Sequence, residues 1–165
     1  MTREETISLY REHSRRLYNS SLRIVGSPEV AEELMHDALL KFIRGGVVCQ
    51  SREQESAWLT RTCIRLSVDW IRKKKREAVF LEDYAGSMQE SEEDFLFEDR
   101  LVEDVARVKD AILSLPAPYC LILNLVLLEG LDYSEISSLL GVREVTLRSQ
   151  FSRGKVKLVE MLERK

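Results

Sequence analysis

Apolar residues recur every three or four positions along most of the chain, and no stretch alternates apolar with polar residues as a half-buried strand would. The pattern predicts an all-α protein. A first helix is expected from about Thr2 to Val25, with Ile7, Tyr10, Leu17, Ser21 and Ile24 along one side and Gly26-Ser27-Pro28 at its end. Ser27 suits the cap of the next helix and Pro28 its first position, where a missing N–H leaves no bond unmade. That second helix turns Ala31, Leu34, Met35, Ala38, Leu39 and Phe42 inward and stops at Gly45-Gly46. After a loop through Val47 and Cys49, Ser51-Arg-Glu-Gln54 has the form of a capping box. The third helix it opens is expected to bury Leu59, Cys63, Leu66 and Trp70 and to run to about Arg76.

Helix-register anchors then thin out, and residues 77–100 read as a flexible linker. A further helix from near Leu101 carries Val105, Val108 and Ile112 and is broken by Leu115-Pro-Ala-Pro118. Tyr119 to Glu129 is apolar nearly all round, which predicts a helix sunk in a core, with Gly130 at its exit. Asp132-Tyr-Ser-Glu135 is a second capping-box pattern, Gly141 permits a tight turn, and a last helix follows from Glu144. Its core side is Leu147, Phe151, Gly154, Leu158 and Met161. The expected organisation is two small helical domains, 1–76 and 101–165, joined by the linker.

Charge sharpens this division. The 165 residues are 44% hydrophobic and 32% charged, with a formal net charge of −3, which is unlike a uniformly basic nucleic-acid binder. The average hides segregation. Arg61 to Arg76 is basic but for Asp69, Glu77 to Asp104 is acidic but for Arg100, and the C-terminal segment is basic again through Arg143, Arg148, Arg153, Lys155 and Lys157. Two basic patches separated by an acidic run suit two nucleic-acid contacts and a linker. No apolar run approaches a membrane span and the N-terminus lacks a signal-peptide core, so the expected setting is cytoplasmic, without membrane insertion. Cys49, Cys63 and Cys120 form no CxxC pair; neither a zinc site nor a disulfide framework is indicated, and buried reduced thiols are expected. No phosphate loop, dinucleotide fingerprint or hydrolase motif occurs, so neither an enzyme nor a cofactor is indicated.

Three constellations remain. The stretch Gly130–Leu158 reads as a short helix, a glycine turn and a second helix with a basic outer face, the build of a helix-turn-helix DNA reader. On that face lie Arg143, Thr146, Arg148, Ser149, Gln150 and Arg153; Arg and Gln can bond bidentately to guanine and adenine edges, while Ser and Thr can hold phosphates. In the third helix, Arg61, Arg65, Asp69, Arg72 and Arg76 form a charged stripe able to track phosphates, and Trp58 stands at its start, where an exposed ring would stack on an unpaired base. On the second helix, Asp37 and Lys41 stand one turn apart, and His36 beside them has no nucleophile or metal partner at a defined spacing.

In this order the segments resemble a bacterial RNA polymerase sigma factor of the extracytoplasmic-function (ECF) group. Leu17-Tyr-Asn-Ser-Ser-Leu-Arg-Ile-Val-Gly-Ser-Pro-Glu-Val-Ala-Glu-Glu-Leu34 is similar to the first conserved segment of that family, and Asp37-Ala-Leu-Leu-Lys-Phe42 to its polymerase-gripping segment. Trp58 to Lys75 resembles the helix that engages the −10 promoter element, and Leu115-Pro116 with Gly130–Leu158 the region that reads the −35 element. The resemblance implies contact with the polymerase core (the β′ clamp helices and the β flap) through Leu34, Asp37, Leu40 and Lys41. It implies −10 contacts from Trp58, Arg61, Arg65, Asp69, Arg72 and Lys73, base capture by the loop from Gly45 to Gln50, and −35 contacts from Arg143, Thr146, Arg148, Ser149, Gln150 and Arg153. Promoter DNA and an anti-sigma factor are the other implied partners. The chain departs from the family pattern at Arg65 (usually Asn), Arg143 (usually Ser), Val145 (usually small) and Gln150 (usually basic). A free-standing helix-turn-helix regulator and a diverged sigma-like interaction protein are the alternatives that the residues leave open.

Overall fold

The computed structural model describes residues 1–78, 100–116 and 118–164. It is all-helical among these residues and divides into two compact units. The first holds α1 (Arg3–Val25), α2 (Pro28–Arg44) and α3 (Arg52–Ala78). The second holds α4 (Arg100–Leu113), α5 (Tyr119–Leu123), a π-helical turn (Asn124–Leu128), α6 (Tyr133–Leu140) and α7 (Glu144–Glu163). The linker expected over 77–100 lies, from 79 to 99, outside the described residues; its two ends belong to α3 and α4.

In the first unit, local signals and packing agree closely. Thr2 and Glu5 form a complete capping box at the start of α1, and Gly26 closes that helix at φ 71°, a backbone state open to glycine. Ser27 accepts from the N–H of Val30 with Pro28 following it, as the sequence predicts. All six inward residues expected on α2 are buried: Ala31, Leu34, Met35, Ala38, Leu39 and Phe42. Met35, Ala38, Leu39 and Phe42 pack with Leu9, Leu17, Leu59 and Cys63 into one core. The box opening α3 is shifted by one residue. The Gln54 N–H donates to Ser51 Oγ at 3.3 Å, but the Gln54 side chain accepts from the N–H of Gln50 at 2.9 Å instead of that of Ser51.

The inward face of α1 differs from the expected one. Leu9, His13, Leu17, Ser20 and Ser21 are buried, whereas Ile7 and Tyr10 are exposed. Two of its polar residues, His13 and Ser21, have a side-chain partner across the seam, which removes the penalty of burying them. His13 Nε2 lies 2.9 Å from Glu55 Oε1 on α3. Ser21 and Ser67 share a buried hydroxyl bond of 2.8 Å, and Ser67 Oγ donates to the carbonyl of Cys63 at 2.8 Å. A face read from apolar residues alone therefore rotates toward Ile7. The buried side of α3 is likewise broader than expected, taking in Thr60, Ile64, Ser67 and Val68, while Leu66 and Trp70 are half-buried.

In the second unit α4 buries Ala111 and Ile112, but Val105, expected inward, is 51% exposed. The expected single helix from Tyr119 to Glu129 is instead α5 followed by the π-helical turn, where the N–H of Glu129 bonds to Asn124 O. Nor is it buried all round, since Leu127 is 49% exposed. Gly154 lets α7 lie against α5: a Cβ there would sit 3.3 Å from both Leu123 Cδ1 and Tyr119 Cβ. All three cysteines are free thiols, but only Cys63 is buried; Cys49 and Cys120 are half-buried. Burial pushes the Cys120 thiol above its ordinary pKa.

Candidate nucleic-acid interface

The helix-turn-helix is built from caps. Asp132 accepts from the N–H of Glu135 at 2.8 Å, and Glu135 returns a bond from the N–H of Asp132 at 3.0 Å, so α6 starts at a fixed residue. It ends where Gly141 adopts φ 66° and donates to Ser137 O. Arg143 then caps α7 in extended backbone with no side-chain bond to the helix, at the position where the family pattern usually has Ser. Ile136 and Leu147 are fully buried, with Gly154 and Leu158 behind them on α7. That seam fixes which side of α7 faces outward.

On the outward side, Arg143, Thr146, Arg148, Ser149 and Arg153 are exposed and Gln150 is half-buried. The candidate −35 residues thus share one surface of one helix and its cap. Two residues that sequence reasoning passed over belong to this surface. Glu144 Oε2 lies 3.7 Å from Arg148 Nη2, and the Arg148 guanidinium sits over the Tyr133 ring at 5.0 Å from its centroid. Spacing could have flagged Glu144, one turn before Arg148. Tyr133 reaches Arg148 across the turn, which no linear spacing reveals.

In the first unit the α3 stripe is present as an outward row. Arg61, Arg65, Asp69 and Lys73 are exposed and Arg72 is half-buried, with Arg72 Nη1 3.8 Å from Asp69 Oδ1. The side chain of Arg76 lies outside the described residues. Trp58 is half-buried, its ring edge-on to Phe42 at 5.4 Å between centroids and packed against the core. Core packing thus claims part of the ring that base stacking would need exposed. The loop before α3 alternates: Val47 and Cys49 pack on the core while Val48 is 91% exposed.

On α2, Asp37, Leu40 and Lys41 are exposed and adjoin one another along the helix. Leu34, from which the resemblance implies a polymerase contact, does not join them; it is 7% exposed and belongs to the core. His36 stacks on Tyr10, with centroids 5.9 Å apart and planes 15° from parallel. Glu12, His13 and Glu55 bring three possible metal-ligand atoms within 4.8 Å of one another. His13 already bonds Glu55, and Arg52 faces Glu12 at 3.8 Å, so the cluster works as a polar tie between α1 and α3. No described helix is long and apolar enough to cross a membrane.

Comparison with known proteins gives the same division of the chain. Residues 9–77 match the family model described as Sigma-70 region 2, and residues 106–158 match Sigma-70, region 4. The ECF RNA polymerase sigma factor SigE of Mycolicibacterium smegmatis is 32% identical over 159 residues, covering 93% of this chain and 60% of that protein. The chain thus spans less than two thirds of that relative's length. SigW of Bacillus subtilis, also an ECF RNA polymerase sigma factor, is 27% identical over 169 residues, covering 96% of this chain and 87% of the relative. Among solved structures, the sigma factor RpoE of Bartonella quintana, crystallised with the anti-sigma factor NepR, shares the fold with a TM-score of 0.63 at 20% identity, over 97% of this chain and 95% of that one.

Proposed function

Since the chain belongs to the ECF group of RNA polymerase sigma factors, with sigma-70 regions 2 and 4, we propose that it binds core RNA polymerase and directs promoter-specific transcription initiation in the cytoplasm. The chain supplies recognition, and bond formation belongs to the polymerase. In this reading the first unit, residues 1–76, docks on the polymerase through Asp37, Leu40 and Lys41 and faces the −10 element with Arg61, Arg65, Asp69, Arg72 and Lys73. The second, residues 101–165, carries the −35 contacts on Arg143, Thr146, Arg148, Ser149, Gln150 and Arg153. An anti-sigma factor is the regulatory partner that goes with the family.

The observation that carries this reading is the outward face of α7. A buried seam through Leu147, Gly154 and Leu158 orients the helix, and the opposite side presents two arginines, Arg148 and Arg153, among small hydroxyl side chains. Such a surface suits a major groove, where arginine reads guanine and hydroxyls hold phosphates. Beside Trp58, half-claimed by the core, the stripe on α3 suits backbone tracking more than base reading: cations dominate it and each neutralised phosphate releases a counterion. Arg65, where relatives usually have Asn, fits the same assignment.

Run-off transcription on a genomic fragment library, with purified core polymerase and this chain, tests the proposal. Promoter-specific transcripts that depend on added chain are expected. Arg148→Ala with Arg153→Ala should weaken promoter binding by about 1–3 kcal/mol for each base that these two arginines read. Specific DNA binding without polymerase, and no stimulation of core enzyme, would point to a free-standing regulator instead.

A further inference from the structure

The guanidinium of Arg148 is placed from two sides, and neither support is a base-reading residue. Tyr133 lies beneath it, 5.0 Å from ring centroid to Cζ, and Glu144 stands beside it at 3.7 Å. Tyr133 is itself held. It is the first residue of α6, directly after Asp132 of the Asp132–Glu135 capping box, so its backbone is fixed where the helix begins. Its ring meets Phe151 of α7 edge to face, with centroids 6.1 Å apart and planes at 78°. Phe151 is half-buried on the seam, so the ring plane of Tyr133 follows the packing of α6 on α7.

We propose that Tyr133 is a positioning residue for base recognition: its ring face orients Arg148 before DNA arrives, and so sets how sharply the second unit discriminates at the base pair that Arg148 reads. The inference rests on Arg148 being a −35 contact. The physical basis is pre-organisation. A long, exposed side chain loses rotamer freedom when it settles on one base edge, and a platform that already holds the planar guanidinium removes part of that loss. Glu144 alone would leave the guanidinium free to swing about a single point of attachment. The ring face adds a plane, and bidentate reading of guanine needs the plane as well as the position.

The test uses holoenzyme assembled from the full chain and core polymerase, bound to promoter duplexes randomised across the −35 element; base preference at each position is read by sequencing the bound fraction. Arg148→Ala should erase the preference at one base pair. Tyr133→Leu should reduce the preference at that same base pair by about two- to five-fold. Other positions and the salt dependence should stay unchanged, and Tyr133→Phe should retain the wild-type profile. A series of increasingly fluorinated phenylalanines at position 133 keeps the ring's shape while weakening its negative face, so the preference should fall step by step. This series decides the matter if Tyr133→Leu does not fold. A flat fluorination series overturns the inference, as does a Leu variant that lowers all positions equally or none while Arg148→Ala remains selective. If Arg148→Ala itself changes no position, the assignment of Arg148 to the −35 element fails, and the positioning role falls with it.

Discussion

In the proposed function, Arg143 is where stability and DNA binding pull apart. It occupies the N-cap of α7 at φ −61° and ψ 142°, backbone that suits a capping residue, yet its side chain makes no bond to the helix. The N–H groups of Glu144, Val145 and Thr146 precede the first intrahelical donor, Leu147, which bonds Arg143 O at 3.1 Å. Arg143→Ser would supply an acceptor with no backbone change, for a gain of about 0.5–2 kcal/mol. In a unit of this size about 1 kcal/mol corresponds to a rise in melting temperature of about 4–8 °C. Tryptophan fluorescence is blind to it, because Trp58 and Trp70 both lie in the first unit. Hydrogen exchange at the amides of the first turn of α7 is the assay, with far-UV circular dichroism for the melt. The same substitution removes a cation from the proposed DNA face, so the slope of log affinity against log salt should become shallower by about 0.9 if Arg143 neutralises one phosphate. The expected variant is more stable and binds promoter less well. Unchanged exchange protection would refute the cap argument; added stability with an unaltered salt slope would remove Arg143 from the interface.

Other perturbations probe the first unit. Ser67→Ala leaves Ser21 without its buried 2.8 Å partner and should cost about 1–3 kcal/mol, measured by urea unfolding followed through tryptophan fluorescence. Leu34→Ala should destabilise this unit by about 2–5 kcal/mol because it empties a core position, while Asp37→Ala should leave stability unchanged and weaken capture of core polymerase in a pull-down. Three helix-start carboxyls have pKa values below the ordinary 4.5: Glu5 through the backbone N–H of Thr2, Glu29 through its own N–H and Ser27, and Glu53 chiefly through Ser51. A depressed folded-state pKa stabilises above the unfolded value and is lost as pH falls through the folded one. Fraying at the starts of α1, α2 and α3 should therefore set in below about pH 4.5 and be absent at neutral pH, as amide chemical shifts across an acid titration would report.

How much of this was legible in the sequence depended on whether the deciding signal was local. Caps and glycine exits are local chemistry, and Ser27-Pro28, Asp132–Glu135 and Gly141 each mark a boundary that the fold uses. The inward face of α2 was equally readable, because every residue on it is apolar. The face of α1 was not, since His13 and Ser21 are buried with partners on another helix, and apolar periodicity assigns no weight to a satisfied polar group. The π-helical turn is hidden for a related reason: Asn124–Leu128 has an ordinary helical composition, and its wider hydrogen bonding shows only in the backbone. At the candidate site, spacing picked out exposed arginines and turned Leu34 inward, where it is buried; the polymerase contact came to Leu34 only from the family resemblance, which does not distinguish an apolar side chain that meets a partner from one that fills the core.

The weak ion pairs on the two candidate DNA faces bear on mechanism more than on stability. Arg148 is paired with Glu144 at 3.7 Å and Arg72 with Asp69 at 3.8 Å, in both cases with the partners substantially exposed. Pairs of this kind contribute about 0–1 kcal/mol, so neither holds the fold together. Each does restrict where a guanidinium rests, and each can be given up to a phosphate or a guanine edge at small cost. The carboxylates also act as a filter. Close to DNA, Glu144 and Asp69 repel any phosphate that their arginines do not engage, which penalises misplaced docking more than correct docking. In the proposed function, then, the acidic neighbours of the reading arginines lower indiscriminate affinity for duplex DNA. Replacing Glu144 by Gln should raise non-specific binding while blunting the preference for the true −35 sequence, a combination that simple loss of an ion pair would not produce.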